Sequence, residues 1–199
     1  MRAYIVRGSA ATLAIQIAAL AGDLLLAMVV GRWFGEAIYG DYAFARGWIE
    51  LLVWIAPLGF THILMREAAI DQARGRWDRL WGLIRTADTF ALTAAATGMA
   101  ATVALGGYYT QFGARPATGA TLLLAVPLLP LLTLIHLRQA GLRGLGRPAQ
   151  GQLPEFVLRP ALLLLAAAGA AAFCRSITGA HLVLVDGAVL ALALLVGHA

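Results

Sequence analysis

Lysine is absent from this chain of 199 residues: all 15 basic side chains are arginine, cysteine occurs once, and charged residues of both signs make up only 13%. A single cysteine closes no intramolecular disulfide, which excludes a stapled secreted module. Cys174 itself, at the end of an apolar stretch, reads as a small buried apolar residue. So little charge also excludes a disordered tail and an ordinary soluble domain, which carries about a quarter charged residues. What the chain has instead is apolar side chains, 61% of all residues, with a mean hydropathy of +0.80. Apolar runs of about 20 residues recur, each long enough to cross the roughly 30 Å hydrocarbon core as a helix. The composition predicts an all-α, polytopic membrane protein.

The pattern divides into six transmembrane helices joined by short links: Ser9 to Gly31, Tyr42 to Leu64, Gly82 to Gly106, Ala117 to Leu137, Phe156 to Cys174 and Ile177 to Val196. Nine arginines fall on one side: Arg2 and Arg7, then Arg66, Arg74, Arg76 and Arg79, then Arg138, Arg143 and Arg147. Only Arg32, Arg115 and Arg175 fall on the other. The positive-inside rule then places the N-terminus in the cytoplasm, and an even number of crossings returns the C-terminus there. The second link (MREAAIDQARGRWDRLW) reads as a short cytoplasmic helical extension with Trp77 and Trp81 at headgroup level. The fourth (RQAGLRGLGRPAQGQLP) reads as a solvated turn. These basic links suit anchoring at the membrane surface, and no nucleic-acid partner is expected. The opening Met1 to Arg7, followed by an apolar run and Ala19-Leu20-Ala21, has the form of a cleavable signal. Apolar residues resume after Asp23 and continue to Val30, making a longer block than a signal carries.

Polar residues inside spans are the informative ones, because a charge at the centre of a bilayer costs a few kcal/mol and is kept with a partner or in a hydrated cavity. Ser9, Thr12, Gln16 and Asp23 share one face of the first span. The second repeats the pattern with Arg46, Glu50, Pro57 and Thr61, and the third carries a ladder of Arg85, Thr89, Thr93 and Thr97 with Asp88 beside it. In the fourth span Pro127 and Pro130 predict a kink. The run from Ala166 to Ala172 in the fifth predicts a small-residue packing surface. The first three spans are therefore expected to face something polar, and the fourth and fifth, with almost no charge in their interiors, to buttress them or meet lipid. This predicts a hydrated cavity lined by Thr12, Gln16, Asp23, Arg46 and Glu50, with Arg46 suited to hold phosphate. A closed Arg46–Glu50 pair at i, i+4 is the alternative. Asp23 reads either as a cation or proton site or as a hydrogen-bond partner of a neighbouring helix. Arg85 and Asp88 lie near enough to a helix end to snorkel.

His181 is a second candidate for ion or proton coupling, against a plain packing role. His62 and His136 sit near span ends, where interfacial water can meet them, and His198 is almost terminal. No two histidines have zinc-ligand spacing, and no nucleophile elbow, H-E-x-x-H or Walker A loop occurs. Asp186-Gly187 echoes the Asp-Gly pairs of phospholipid-synthesising alcohol transferases, but the further Asp and Arg residues of such a site are missing nearby. No catalytic residue, metal or cofactor is expected.

Two stretches carry a family resemblance. In Gly31 to Ile70 the pattern R-x-h-G-x-x-x-Y-G-x-Y (h, apolar) is matched by Arg32, Phe34, Gly35, Tyr39, Gly40 and Tyr42, and Gly59 and Arg66 follow at the end of the second span. In Leu137 to Leu165 an "lRglgR" turn precedes E-x-h-h-R-P, here Glu155, Arg159 and Pro160. The chain resembles the N-terminal region of polysaccharide-biosynthesis flippases of the multidrug/oligosaccharidyl-lipid/polysaccharide exporter superfamily. That resemblance implies a six-helix lobe, in the bacterial inner membrane, of a transporter that moves a polyprenyl-pyrophosphate-linked glycan through a central cationic cavity by alternating access. It implies that Arg46 faces the glycan or the pyrophosphate. Members of the family have about twelve or more helices, so the chain is expected to be one lobe, truncated relative to a two-lobe transporter and working with a second lobe or as a homodimer. A cation-coupled multidrug exporter of the same superfamily, with Asp23 as coupling site, and a non-transporting scaffold or inactive remnant are the alternatives.

Overall fold

Glycine and proline punctuate the chain where the apolar pattern alone reads straight through. The computed structural model describes residues 2–57, 59–113, 115–173 and 178–196, and among these every regular element is helical. The elements are α1 (Arg2–Phe34), α2 (Glu36–Ile55), α3 (Phe60–Ala73), α4 (Trp77–Phe112), α5 (Pro116–Ala125), α6 (Leu128–Gly144), α7 (Pro148–Leu153), a π-helical turn (Pro154–Leu158), α8 (Arg159–Phe173) and α9 (Gly179–Val196). Cys174 and Arg175 lie outside the described residues, as do the side chains of Ser9 and Thr12.

α1, from Leu13 to Phe34, and α4 are long and apolar enough to cross a bilayer. The bent pairs α2–α3 and α5–α6 reach the same standard when each pair is counted as one span, while α8 and α9 hold shorter apolar stretches. Length and composition thus give two to four crossings among the described residues.

Two boundaries differ from the sequence pattern and one agrees with it. The second span, expected to run unbroken from Tyr42 to Leu64, is interrupted after Ile55 and resumes at Phe60, bent by 55°. Pro57 has no N–H to continue the ladder, and Gly59 takes a left-handed φ of 88° that an L side chain resists. The expected kink near Pro127 is present as a 45° bend between α5 and α6. The solvated turn expected from Arg138 to Pro154 is mostly helix: α6 continues to Gly144, the turn is confined to Leu145–Arg147 with Gly146 at φ 73°, and helix resumes at Pro148. Two contacts hold that extension. Arg138 Nη1 donates to the Leu194 carbonyl at 3.0 Å, and Gly144 lies so close to the Met65 carbonyl that a Cβ there has no room.

The larger core joins α1, α2, α5, α6, α8 and α9 through residues such as Val30, Ile49, Leu122, Leu132, Leu163 and Leu190. A smaller one, Leu64, Ala87, Ala91 and Leu137, ties α3, α4 and α6 at the other end. Between α3 and α4 the chain turns at Gly75 (φ 68°), held by the fully buried Asp71 carboxylate with Arg76 at 3.2 Å and Arg79 at 3.8 Å. The helical extension expected in this link is therefore present, and Trp77 and Trp81 are exposed. Leu13, Ile17, Leu20, Leu24 and Met28 leave one face of α1 apolar and uncovered, as a lipid-facing helix requires.

Where lipid surrounds a bundle, burial of apolar surface no longer drives helices together and close packing of small residues does. One such crossing is α4 on α5, where a Cβ at Gly119 would stand 2.7 Å from the Thr110 amide nitrogen and 2.8 Å from the Gly106 carbonyl. In its described portion the run from Ala166 to Ala172 packs at Ala167, buried in the larger core, while Ala168 is exposed and a Cβ at Gly169 meets nothing within 4 Å. Gly119→Ala is expected to cost about 1–3 kcal/mol through overpacking against backbone that has no rotamer to escape into. Gly169→Ala is expected to be neutral. Thermal denaturation of the two variants in detergent, followed by circular dichroism, checks the contrast.

Candidate functional site

The site begins with one helical face. Tyr42, Arg46 and Glu50 recur every four residues along α2 and so project to the same side. Opposite them α9 supplies Asp186, the π-helical turn supplies Glu155, and the first residue of α8 is Arg159. Asp186 is fully buried and accepts from three directions. Arg159 holds it bidentately, Nε to Oδ1 at 2.7 Å and Nη2 to Oδ2 at 3.2 Å. Arg46 Nη1 reaches Oδ2 at 3.2 Å, and the Tyr42 hydroxyl donates to the same oxygen at 3.1 Å. Arg159 Nη2 also donates to that hydroxyl at 3.0 Å, closing a ring of hydrogen bonds among three helices.

Arg46 is shared. Its Nε donates to Glu50 at 2.8 Å, and its Nη2 lies 4.0 Å from Glu155. Glu155 in turn accepts from Gln139 Nε2 at 2.5 Å and stands 3.5 Å from His136 Nε2, both on α6. On the α1 side Asp23 approaches Arg159 at 4.0 Å. Beside the network is a cavity of about 210 Å³ lined by Ala19, Asp23, Arg46, Glu50, Glu155 and Arg159, with Phe156 and Pro160 at its wall. Two guanidiniums thus face four carboxylates, of which Asp23 and Glu50 are about half exposed and Asp186 and Glu155 buried. Nε and Nη1 of Arg46 and Nε and Nη2 of Arg159 are bonded within the network, while Arg46 Nη2 and Arg159 Nη1 lie 4.0 Å from carboxylates, so the lining offers an occupant the half-exposed carboxylates of Asp23 and Glu50 beside two guanidinium nitrogens.

Of the expected residues, Arg46, Glu50 and Asp23 come together at this cavity. Both readings of Arg46 hold at once: it forms the i, i+4 pair with Glu50 and also lines the cavity. Gln16 is exposed on α1 and is not part of the lining, and the side chain of Thr12 lies outside the described residues. His181 is exposed, bonded through Nδ1 to the Thr178 hydroxyl at 2.8 Å, and far along α9 from the network's own contacts. The ladder on α4 faces outward. Thr89, Thr93 and Thr97 are exposed, and each hydroxyl donates to a carbonyl of its own helix, which is how a threonine becomes compatible with an apolar surface.

The expectation that the fourth and fifth spans carry no polar role is overturned by Arg159, which is buried at the centre of the network, and by His136 and Gln139 on α6. His136 is 23% exposed and packs edge-on against Trp54, ring centroids 6.0 Å apart. The sequence did carry a signal for the residues that went unassigned. Asp186 is the one acid in the apolar stretch of α9, and a lone carboxylate in such a helix requires a cation from elsewhere in the bundle.

No family model, no curated protein and no solved structure matches this chain. Of the residues quoted for the family resemblance, some lie at this site and others, such as Gly40 and Arg66, are exposed away from it. Tyr42 belongs to the network, Glu155, Arg159 and Pro160 line the cavity, and Gly35 and Gly59 occupy left-handed turns at φ 97° and 88°.

Removing one partner of a buried ion pair leaves the other charge without compensation, a loss of about 3–5 kcal/mol. Asp186→Asn is therefore expected to destabilise the detergent-solubilised protein by that order, and Arg159→Gln in addition to restore part of it. Asp23→Asn, at an exposed carboxylate, is expected to change stability little. A double-mutant cycle on thermal unfolding tests all three.

Proposed function

We propose that this chain is a six-span transporter lobe that translocates a polyprenyl-pyrophosphate-linked oligosaccharide or polysaccharide precursor across the bacterial inner membrane, with both termini cytoplasmic. The observation that carries this reading is a charged, hydrogen-bonded network inside an apolar helical bundle, open on one side to a cavity. Ionisable groups in that position are expensive to maintain and mark ion or substrate pathways. The meeting of Glu155, Arg159 and Pro160 at the cavity, with Tyr42 bonded to Arg159 behind it, supports the family resemblance that those residues carry.

The geometry changes the part given to Arg46. With its Nε engaged by Glu50 and its Nη1 by Asp186, Arg46 fixes the lining instead of holding pyrophosphate. The half-exposed carboxylates of Glu50 and Asp23 suit sugar hydroxyls, which donate, and repel phosphate, which does not. In this mechanism the glycan passes the acidic lining while the polyprenyl tail stays in lipid. The bends at Pro57–Gly59 and between α5 and α6 allow the lobe to rock against its partner lobe, a second copy or a separate half. No bond is made or broken.

The excess of carboxylates also favours a second reading, a cation-coupled multidrug exporter in which Asp23 binds the coupling ion. Proteoliposomes separate the two. With a polyprenyl-pyrophosphate oligosaccharide in both leaflets, an added glycosidase cuts only the outer share unless the protein flips the rest. Complete cutting is expected, slowed about tenfold in Glu50→Gln, the loss of one hydrogen bond to a charged group at about 1.5 kcal/mol. Efflux of a cationic dye, abolished by Asp23→Asn and with no glycan flipping, would establish the second reading, and inactivity in both assays a scaffold.

A further inference from the structure

Glu155 stands between a guanidinium and an imidazole on different helices, and its place in the chain gives it room to choose. Its Oε1 lies 3.5 Å from His136 Nε2 on α6 and 4.0 Å from Arg46 Nη2 on α2. It belongs to the π-helical turn Pro154–Leu158, and such turns hold one residue more per turn than the flanking helix and recur at functional sites. We propose that His136 and Glu155 form a proton-binding site that decides which neighbour the Glu155 carboxylate holds. With a protonated imidazole, Glu155 stays on α6, between His136 and Gln139. With a neutral imidazole it closes on Arg46 and draws the π-helical turn toward α2 across the cavity.

Charge balance leads here. Arg46 is already engaged by Glu50 at 2.8 Å and Asp186 at 3.2 Å, and Arg159 by Asp186 at 2.7 Å with Asp23 at 4.0 Å. Two guanidiniums therefore serve four carboxylates, and of the two buried ones Asp186 holds an arginine at 2.7 Å while Glu155 has a guanidinium only at 4.0 Å. A guanidinium keeps its proton at any ordinary pH, so neither arginine can adjust. The remaining charged groups on the packed helices are engaged elsewhere, Arg143 donating to Gln139 at 3.2 Å and Asp88 of α4 lying near Arg138. Of all the groups facing Glu155, only His136 is of the type that changes charge between about pH 5 and 8. Proton uptake is balanced within the site: one proton adds to the His136 imidazole and cancels one excess carboxylate charge.

The role of this switch in transport rests on the reading of the cavity given above, but the site itself can be tested without transport. The full chain, labelled with 5-fluorotryptophan in lipid nanodiscs, reports His136 through Trp54, whose ring touches it. The Trp54 fluorine resonance, identified by its loss in Trp54→Phe, is expected to move between about pH 5 and 8 and to stand still in His136→Asn. Ala19→Cys, in a Cys174→Ser background, reports the cavity. Its labelling by a neutral maleimide, normalised to unfolded protein at the same pH, is expected to be about threefold faster with the imidazole protonated than neutral. In Glu155→Gln the resonance is expected still to titrate while the labelling loses its pH dependence. A Trp54 resonance that titrates unchanged in His136→Asn, or labelling that keeps its pH dependence in Glu155→Gln, overturns the proposal. If both expected results appear and glycan flipping does not, the switch stands and the transport reading falls.

Discussion

A carboxylate buried among apolar helices has to be met by positive charge, and Asp186 is met from two sides at once. The arginine at the start of α8 and the one midway along α2 both reach it, with the Tyr42 hydroxyl filling the remaining lone-pair direction. In a membrane, helices have little apolar reason to prefer one partner over another. The ion network supplies the preference: it fixes α2, α8 and α9 relative to each other, and through Glu155 and Asp23 it reaches α6 and α1. The aliphatic core around Ile49, Leu122 and Leu163 then fills space whose shape the charges have already set.

Much of this could be read along the chain. Hydropathy located the apolar helices, Pro127 and Pro130 marked the bend between α5 and α6, and the four-residue spacing of Arg46 and Glu50 placed both on one face. What failed was any judgement that needed two distant segments together. Arg159 was seen as part of a motif and its span as nearly free of interior charge, because its partner Asp186 lies 27 positions further on. His136 read as near a span end because the continuation of α6 to Gly144 depends on contacts with Met65 and Leu194, which sequence-local patterns do not contain. Conversely, the threonine ladder of α4 looked functional because hydroxyls at regular spacing resemble a polar stripe. Each of those hydroxyls is spent on its own helix backbone, a local bond that hydropathy scales do not register.

The network also separates two properties that are easily confused, holding a charge and offering it. Both central arginines are buried and paired, so their positive charge organises the protein from within. The groups that meet the cavity with exposed surface are Asp23 and Glu50. The family resemblance implies a cationic cavity, and the most exposed charged groups at this one are carboxylates.

At the opposite end of the bundle, the turn joining α3 to α4 is clasped by Asp71 to Arg76 and Arg79, with Arg79 also on Glu67 at 3.4 Å. The break at Pro57–Gly59 lies just upstream of that clasp. Flexing there cannot swing α3 by itself, because the clasp hands the motion to the base of α4, the longest helix of the described chain. A change of angle at Gly59 is therefore shared between α3 and the start of α4, two helices tied through the Asp71 carboxylate.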